Sequence, residues 1–268
     1  MKKYNNYKGK DITLVICAYG VCDYLEQCIR SIQRQTVKPR VLISTSTPNN
    51  HIKALAKKYK IRMCVNPDGG QIKDYNFAMK QGDSPLVMLM HQDELLHPDF
   101  VRSVLMELNV TKEPIIAFTN YLEMHNDKID KKASTMVKIK RIMLIPMLIK
   151  PLVRKGAFKR LIQLLGNPIT HPTVVCVRNK MPAVCFKEEF KASMDWDLWE
   201  RLSKEKGSFA YVSKVRLFHR MNDENQTSKL FKGDNPRYDE EYDIFKRFWP
   251  DFIVKLIMIF YSKAANYY

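Results

Sequence analysis

The chain has 268 residues, 46% hydrophobic and 27% charged, so it is long and apolar enough to form a globular core. Its net charge of +17 at pH 7 points to anionic partners such as lipid headgroups, nucleic acid or phosphorylated substrates. No apolar run is long enough to predict a spanning helix, and the basic N-terminus lacks the apolar region of a signal peptide. The six cysteines form no CxxC pair, which favours free thiols in a reducing compartment over a disulfide or zinc framework.

The first 110 residues alternate between short apolar runs and amphipathic stretches. Strands are predicted at residues 12–18, 41–43, 61–65 and 85–90, and helices at 23–35, 51–59, 72–80 and 97–108. This alternation predicts a mainly parallel α/β sheet, in which ligands bind beyond the carboxyl ends of the strands. The polar exits at 19–20, 44–50 and 91–94 should therefore meet in one crevice.

The fourth strand runs directly into the polar sequence His91-Gln92-Asp93-Glu94. Carboxylate and imidazole groups at a strand end suit Mg²⁺ or Mn²⁺ bound together with a phosphate. The alternative is an acidic turn before the next helix, with Asp99 complementing the helix dipole. Taken alone, the sequence leaves both interpretations open.

The second half of the chain changes character. Strands are predicted at 115–119, 173–177 and 209–215, a helix at 193–202, and a helical C-terminal segment from 238 onwards. Ser193 is expected to cap the helix, and Gly207 follows its end. The polar segment 221–237 is expected to be mobile.

Positive charge is concentrated in residues 131–187, which contain thirteen Lys or Arg and no Asp or Glu. Within this block, residues 137–165 mix these cations with Ile, Leu and Met, a composition typical of a helix lying on an anionic membrane. A second candidate anchor is the apolar, aromatic stretch 245–261. The alternative is that these apolar faces pack on the core or on a second subunit of a homo-oligomer. Nucleic acid is disfavoured as a partner because the block has few aromatic side chains to stack on bases.

Four motifs occur in order between residues 12 and 220. They are the opening strand with the helix Tyr24-Leu-Glu-Gln-Cys-Ile-Arg-Ser-Ile-Gln-Arg-Gln-Thr36, the segment Asn66…Gly70…Asn76, the strand end Leu89-Met-His-Gln-Asp-Glu94, and the helix start Ser193-Met-Asp-Trp-Asp-Leu-Trp-Glu-Arg-Leu202. Together they resemble glycosyltransferase family 2, the inverting sugar-nucleotide transferases, of the type that builds bacterial polysaccharides and glycolipids.

The resemblance implies the GT-A (Rossmann-like) α/β fold, with a mainly parallel central sheet flanked by helices. A helical basic insertion at 131–165 and a helical C-terminal extension would be added to it. Residues 1–110 would form the nucleotide-sugar-binding half of a single domain, and 111–220 the acceptor-binding half. Residues 221–268 would form the mobile loop and the extension.

The sequence also departs from the family pattern. His91 replaces the first Asp of the Asp-x-Asp motif, and Met194 replaces the Glu before Asp195. Ser44–Thr47 replace the acidic residues after the second strand, and Tyr75 replaces an arginine.

The resemblance implies a role for each matching residue. Asp195 would be the catalytic base, although an aspartate at a helix start is also typical of simple dipole complementation. A divalent cation, Mn²⁺ or Mg²⁺, would be held by Asp93, His91 and His219, the last of which has a structural role as its alternative. The donor would contact Ala18, Tyr19, Ser44, Thr45, Asn49, Asn76, Gln92 and Asp93. The acceptor would contact Trp196, Asp197 and His171, whereas Trp199 is expected to pack in the core.

The predicted function is transfer of a sugar from a nucleotide-diphosphate sugar, with UDP favoured, to a hydroxyl of a saccharide acceptor. The resemblance favours a lipid-linked acceptor and a cytoplasmic protein peripheral at the inner face of the cell membrane. The rival prediction is an inactive accessory subunit of the same fold, which binds membrane or polyanion through its basic block. A nucleotidyltransferase is disfavoured because residues 19–23 do not form a glycine-rich phosphate loop.

Overall fold

A computed structural model describes residues 2–221 and 236–265, with side chains up to residue 259. Its sheet has the strand order β3-β2-β1-β4-β8-β6-β9-β5, and β7 pairs with β6. The strands are β1 Ile12–Cys17, β2 Arg40–Thr45, β3 Arg62–Val65, β4 Leu86–His91, β5 Leu95–Leu96, β6 Pro114–His125, β7 Lys128–Ile129, β8 Val174–Val177 and β9 Ser208–Met221.

Helices cover both faces of the sheet. They are α1 Leu25–Gln33, α2 Asn50–Tyr59, α3 Gln71–Gln81, α4 Phe100–Val110, α5 Thr135–Met143, α6 Gly156–Leu161, α7 Met194–Lys204, α8 Arg237–Phe245 and α9 Asp251–Ala265. A 3₁₀ turn at Ile145–Leu148 lies between α5 and α6, and another at His171–Thr173 precedes β8. The predicted helical character of 131–165 and of the C-terminal segment is confirmed.

The N-terminal half is parallel, as predicted. β1 pairs in parallel with β2 and β4, and β2 pairs in parallel with β3. Successive residues of β1 point to opposite faces, so Leu14 and Ile16 enter one apolar cluster and Val15 enters the other. Burial on both faces explains why these strands appear in the sequence as continuous apolar runs.

The C-terminal half is mixed rather than mainly parallel. β8 is antiparallel to β4 and to β6, whereas β9 is parallel to β6 and antiparallel to β5. β6 and β9 are also much longer than predicted, with 12 and 14 residues. The pairing between them shifts register at Asn120, whose side chain bonds the Ser213 carbonyl oxygen (2.6 Å) and the Tyr211 hydroxyl (2.9 Å). This bulge interrupts the apolar pattern, and the strands continue beyond it.

Several smaller predictions can be compared directly. All six cysteines are free, as predicted. Ser193 does precede α7, but its side chain makes no capping bond, so the predicted cap is wrong in its chemistry. Most of the segment 221–237, predicted to be mobile, lies outside the described residues. In the described part of the chain, no helix is both long and apolar enough to cross a membrane.

The boundaries predicted at residues 110 and 220 remain a prediction. One sheet contains strands from both sides of residue 110, because β4 pairs with β8 and β5 pairs with β9. The crevice at the strand ends is therefore built from both predicted halves.

Candidate active site

The strand exits meet at one edge of the sheet, as the sequence predicts. The Ala18 N–H donates to the Ser44 carbonyl oxygen (2.8 Å), which joins the ends of β1 and β2. The Gln92 side chain accepts from the Tyr19 N–H (3.0 Å) and donates to the Tyr19 carbonyl oxygen (2.9 Å), which joins β1 to β4. The amide of Gln92 is therefore engaged with the backbone, and the Tyr19 ring remains 64% exposed at the edge of the crevice.

Several of the other predicted donor residues are buried or are hydrogen-bonded to the backbone. Ser44 and Thr45 are buried. Asn49 caps α2 with its side-chain oxygen, and its NH₂ group donates to the Gly20 carbonyl oxygen (2.8 Å). Tyr19 is therefore the member of this group whose ring is exposed.

The start of α3 contains a link that the sequence analysis missed. Asp74 accepts hydrogen bonds from the Ser46 hydroxyl and the Asn66 NH₂ group, both at 2.7 Å, so it ties α3 to the ends of β2 and β3. Asn76, predicted to contact the donor, instead exchanges two hydrogen bonds with the backbone of Phe186 (2.7 and 3.0 Å). Its amide positions the Phe186 loop against α3.

A cluster of possible metal ligands lies at the end of β4. One ligand atom from each of His91, Asp93 and Glu94 lies within 4.8 Å of the others. Glu94 is fully buried, and its Oε2 has no hydrogen-bond partner among the described residues. Its Oε1 accepts from Nδ1 of His219, 2.5 Å away on β9. Glu94 belongs to the predicted strand-end cluster but not to the metal ligands that the family resemblance implies, and it is the most buried member of the cluster.

The electrostatics of this cluster favour a cation. Burial and the neighbouring charge of Glu94 raise the pKa of Asp93. Burial disfavours a charged His219, but the charge and hydrogen bond of Glu94 outweigh it and raise the pKa of that imidazole. Two carboxylates and an imidazole are a suitable donor set for Mn²⁺ or Mg²⁺, and a buried carboxylate oxygen without a partner is costly unless a cation binds it. The residues present therefore fit a divalent ion.

His171 lies on the inner side of the cluster. Its Nδ1 is 3.3 Å from Nε2 of His91, and the Tyr75 hydroxyl is also 3.3 Å from that Nε2. Burial, with a smaller contribution from His91, lowers the pKa of His171 well below its ordinary value, so the ring is neutral at physiological pH. Its predicted acceptor contact remains untested. In the structure, its ring contacts His91.

Asp195 occupies the first turn of α7. Its carboxylate accepts from the Asn167 NH₂ group (2.9 Å) and from the Trp196 N–H (2.8 Å). Burial raises its pKa, although these two bonds and the charge of Lys140 act in the opposite direction. Burial also raises the pKa of Tyr75, and the charges of Asp93 and Asp195 both add to that shift. Asp195 and Asp93 therefore both lie within electrostatic reach of the Tyr75 ring, whose hydroxyl contacts His91 of the cluster.

Trp196 and Asp197, predicted to contact the acceptor, are both buried in the structure. Trp196 is 1% exposed and packs edge-on against Phe245 of α8 at 4.8 Å. Asp197 is fully buried between Arg201 (2.9 Å) and Arg247 (2.7 Å). Both residues hold α7 against the C-terminal extension. Trp199 is buried as predicted.

A second contact that the sequence analysis missed fixes the start of α7. The buried carboxylate of Glu240 accepts three backbone N–H groups, from Lys191 (2.8 Å), Ala192 (2.9 Å) and Ser193 (2.7 Å). These are the residues that lead into Asp195. Glu240 lies far along the sequence, on α8, so no local pattern identifies the contact.

Comparison with known proteins decides the family. Residues 13–177 match the family model described as glycosyl transferase family 2. The chain belongs to this family. A protein of Haemophilus influenzae described as an uncharacterized glycosyltransferase is 22% identical over 246 residues, which cover 85% of this chain and 73% of that protein.

Solved structures support the same assignment for the fold of this glycosyltransferase. Residues 1–349 of S. aureus TarS, in complex with UDP-GlcNAc, match with a TM-score of 0.63 and 13% identity, covering 92% of this chain and 70% of that one. The glucosyl-3-phosphoglycerate synthase of Mycobacterium tuberculosis, in complex with Mn²⁺ and UDP-Glc, matches with a TM-score of 0.51 and 15% identity, covering 80% and 72%. The predicted GT-A fold is confirmed.

Proposed function

We propose that this glycosyltransferase moves a sugar from a UDP-sugar to a hydroxyl of a saccharide acceptor, with inversion at the anomeric carbon. The observation that carries the proposal is that two different acidic sites lie close to one residue, Tyr75. The first is the cluster in which Glu94 is buried with an unpartnered oxygen beside His91 and Asp93. The second is Asp195, a partly buried carboxylate with a raised pKa. The first suits a cation with a diphosphate, and the second suits a general base.

Asp195 is the proposed base. In the single displacement, its carboxylate removes the proton of the acceptor hydroxyl as that oxygen attacks the anomeric carbon. The bond from the anomeric carbon to the diphosphate oxygen breaks on the opposite face, and the nucleoside diphosphate leaves with the bonding electrons. Burial shifts the pKa of Asp195 upwards, towards neutral pH, and a general base is more effective when its pKa lies nearer the working pH. Asn167 holds the carboxylate oxygen that it contacts and so fixes the direction of attack.

His91, Asp93 and Glu94 are the proposed metal ligands. A bound Mn²⁺ or Mg²⁺ would supply positive charge for the departing diphosphate. His219 fixes the orientation of Glu94, and His171 fixes that of His91, so the ligand set is organised before the donor arrives. The family's Asp-x-Asp motif has two carboxylates, and here His91 replaces the first of them. Glu94, the residue after Asp93, thus supplies the second carboxylate.

Donor recognition is proposed at the edge formed by β1, β2 and β4. The exposed ring of Tyr19 would stack on the base, on a loop that Gln92 and Asn49 hold by their backbone contacts. The UDP-sugars bound by TarS and by the mycobacterial synthase support UDP as the donor nucleotide.

The acceptor is proposed to be a lipid-linked saccharide used in the synthesis of a cell-surface polysaccharide or glycolipid. The support is the acid-free basic block at 131–187, which suits a protein working at the cytoplasmic face of an anionic membrane.

The test is the thermal midpoint of the purified protein with UDP, GDP, CDP and ADP, each with and without Mn²⁺. A ligand that binds only the native state raises the midpoint by mass action. We expect a Mn²⁺-dependent rise with UDP. Asp195→Asn should retain this rise but lose transfer with UDP-sugars and saccharide acceptors. Transfer by Asp195→Asn at the wild-type rate would exclude Asp195 as the base.

A further inference from the structure

Exposed aliphatic side chains are concentrated in the insertion between β7 and β8. Six of them, each between 44% and 64% exposed, lie in or shortly after α5, the following 3₁₀ turn and α6: Ile142, Ile145, Leu148, Ile149, Leu161 and Leu165. We call these six residues the apolar face. The spacing 142, 145, 148 follows one side of a helical path, as does the pair 161 and 165.

The apolar face is separate from the side of the insertion that packs on the core. Val137, Leu144, Met147, Val153 and Ile162 are all buried and anchor the same elements to the sheet. The insertion therefore already has an inward apolar surface, and the exposed aliphatic residues form an additional one. A concentration of exposed apolar side chains of this kind marks an interaction site.

The charges around the apolar face are positive. Lys138 and Lys155 are exposed and form no ion pair within the described residues. The acids that pair with Lys150 and Arg154 come from elsewhere in the chain, because residues 131–187 contain no Asp or Glu. The face thus combines aliphatic side chains with unneutralised lysines, a combination that matches an anionic lipid surface.

The other occupants fit less well. A second copy of this chain docked about a two-fold axis would bring the same unpaired lysines together, with no acid from residues 131–187 to offset them. A nucleic acid would require aromatic stacking groups, and all six residues of the face are aliphatic.

The insertion also reaches the active site from its inner side. Lys140 of α5 lies 3.4 Å from the Tyr121 hydroxyl and from Oγ1 of Thr170, and its charge acts on the Asp195 carboxylate. The helix that presents Ile142 outwards therefore contributes to the environment of the proposed base.

We infer that the apolar face docks on an anionic bilayer and thereby holds the crevice at the membrane surface, where a lipid-linked acceptor enters. This inference deepens the proposed function and rests on it for the identity of the acceptor. The binding itself depends only on the face and its lysines. Aliphatic side chains would enter the boundary between headgroups and acyl chains, and the lysines would approach the headgroup charge.

The experiment is sedimentation of the purified chain with vesicles of phosphatidylcholine alone, or with 30% phosphatidylglycerol, at about 0.1 M salt. We expect binding to the anionic vesicles and little to the neutral ones. The double variant Ile142→Ser/Leu148→Ser should lower the partition coefficient by at least about ten-fold, because two aliphatic groups no longer enter the bilayer. The double variant Lys138→Gln/Lys155→Gln should lower it by about five-fold per lysine.

The matched control is Val184→Ser, which removes an aliphatic side chain of similar exposure outside the apolar face and should bind like the wild type. All variants should retain the thermal midpoint, because none of the changed side chains is buried. Equal binding by the wild type and both double variants would overturn the inference. So would a wild-type dimer that the serine variant converts to a monomer, since the face would then be an interface between copies.

The two proposals fail separately. If the Mn²⁺-dependent rise with UDP is missing but anionic vesicles still bind through this face, the docking surface stands and the proposed function falls. If donor binding and transfer to a soluble acceptor persist without vesicle binding, the reverse holds.

Discussion

Glu240→Gln tests whether the C-terminal extension positions α7, the helix that contains the proposed base Asp195. Glu240 sits on α8, and its two carboxylate oxygens accept the N–H groups of the three residues before Met194. Oε2 accepts two of them and Oε1 accepts the third. The substitution is nearly isosteric, so it changes the charge and one acceptor atom while leaving the packing intact.

The magnitude follows from these contacts. Glutamine can place its oxygen where Oε2 lies and retain two bonds, but each changes from charge-assisted to neutral, at a cost of about 1 kcal/mol each. Its NH₂ group then faces the Lys191 N–H, and a donor left without a partner costs about 1–3 kcal/mol. Relief of the repulsion between Glu240 and Glu241 offsets part of this cost. We expect the free energy of unfolding to fall by about 3 kcal/mol, equivalent to roughly 10 °C in thermal midpoint for a chain of this size.

The functional effect should appear in kcat. Loosening the backbone at residues 191–193 displaces Asp195, and a displacement of about 1 Å can reduce a rate by about 100-fold. The KM for the donor should change little, because the proposed donor edge lies at β1, β2 and β4, away from residues 191–193. Asp239→Asn is the control, since it removes the same charge from an exposed position on the same helix and should cost less than about 0.5 kcal/mol. The reasoning is refuted if Glu240→Gln matches this control in both unfolding and kcat.

Three further predictions concern single groups. Glu94→Gln should abolish the Mn²⁺-dependent part of the thermal response to UDP, whereas Asp68→Asn, at an exposed carboxylate, should keep it; an unchanged response in Glu94→Gln would exclude Glu94 as a ligand. Because Asp195 must be deprotonated to act as base, log kcat should fall as the pH drops through the raised pKa of Asp195. Asn167→Ala removes a hydrogen bond that favours the carboxylate, so this fall in log kcat should move to higher pH. A fall that moves to lower pH or stays at the wild-type pH contradicts the assignment of Asp195 as base. Burial, opposed by Glu205, lowers the pKa of Lys159 to about 8, so between pH 8 and about 10.4 the unfolded chain holds more protons than the native one. Across that window, the free energy of unfolding in urea should rise with pH more steeply than in Lys159→Met, by at most about 1.4 kcal/mol per pH unit; equal slopes would contradict the lowered pKa.

The parallel half of the fold was predictable because local and tertiary signals agree there. Strands such as β1 and β4 are buried on both faces, so their apolar runs end where polar exits begin. The local pattern and the tertiary pairing disagree at β6 and β9. The bulge at Asn120 breaks the alternation of side chains there, although the two strands remain paired beyond it. β5 has only two residues and exists because Leu95 and Leu96 pair with β9. Such a strand is set by tertiary pairing and leaves no pattern of its own.

The site shows the same division between local and distant causes. The strand end predicted a cluster at residues 91–94, but it did not indicate which carboxylate turns inwards. Glu94 is buried because His219, more than a hundred residues away, lies beside it on β9. The periodicity of α7 also did not indicate which side of the helix is covered. This helix is buried on most of its surface, and α8 packs on the side of Trp196. An apolar stripe shows that a helix packs, without showing what packs against each side.

The unpartnered oxygen of Glu94 is the strongest sign that the site is built for a ligand. Within the described residues, five buried side-chain atoms lack a hydrogen-bond partner, and Glu94 Oε2 is the one that belongs to an acidic group. A buried carboxylate with one oxygen unbonded destabilises the fold, and a glutamine or leucine at this position would destabilise it less. Local stability therefore does not account for Glu94. A cation that completes its coordination would account for it, which is why Glu94 is among the proposed ligands of the ion that assists departure of the diphosphate.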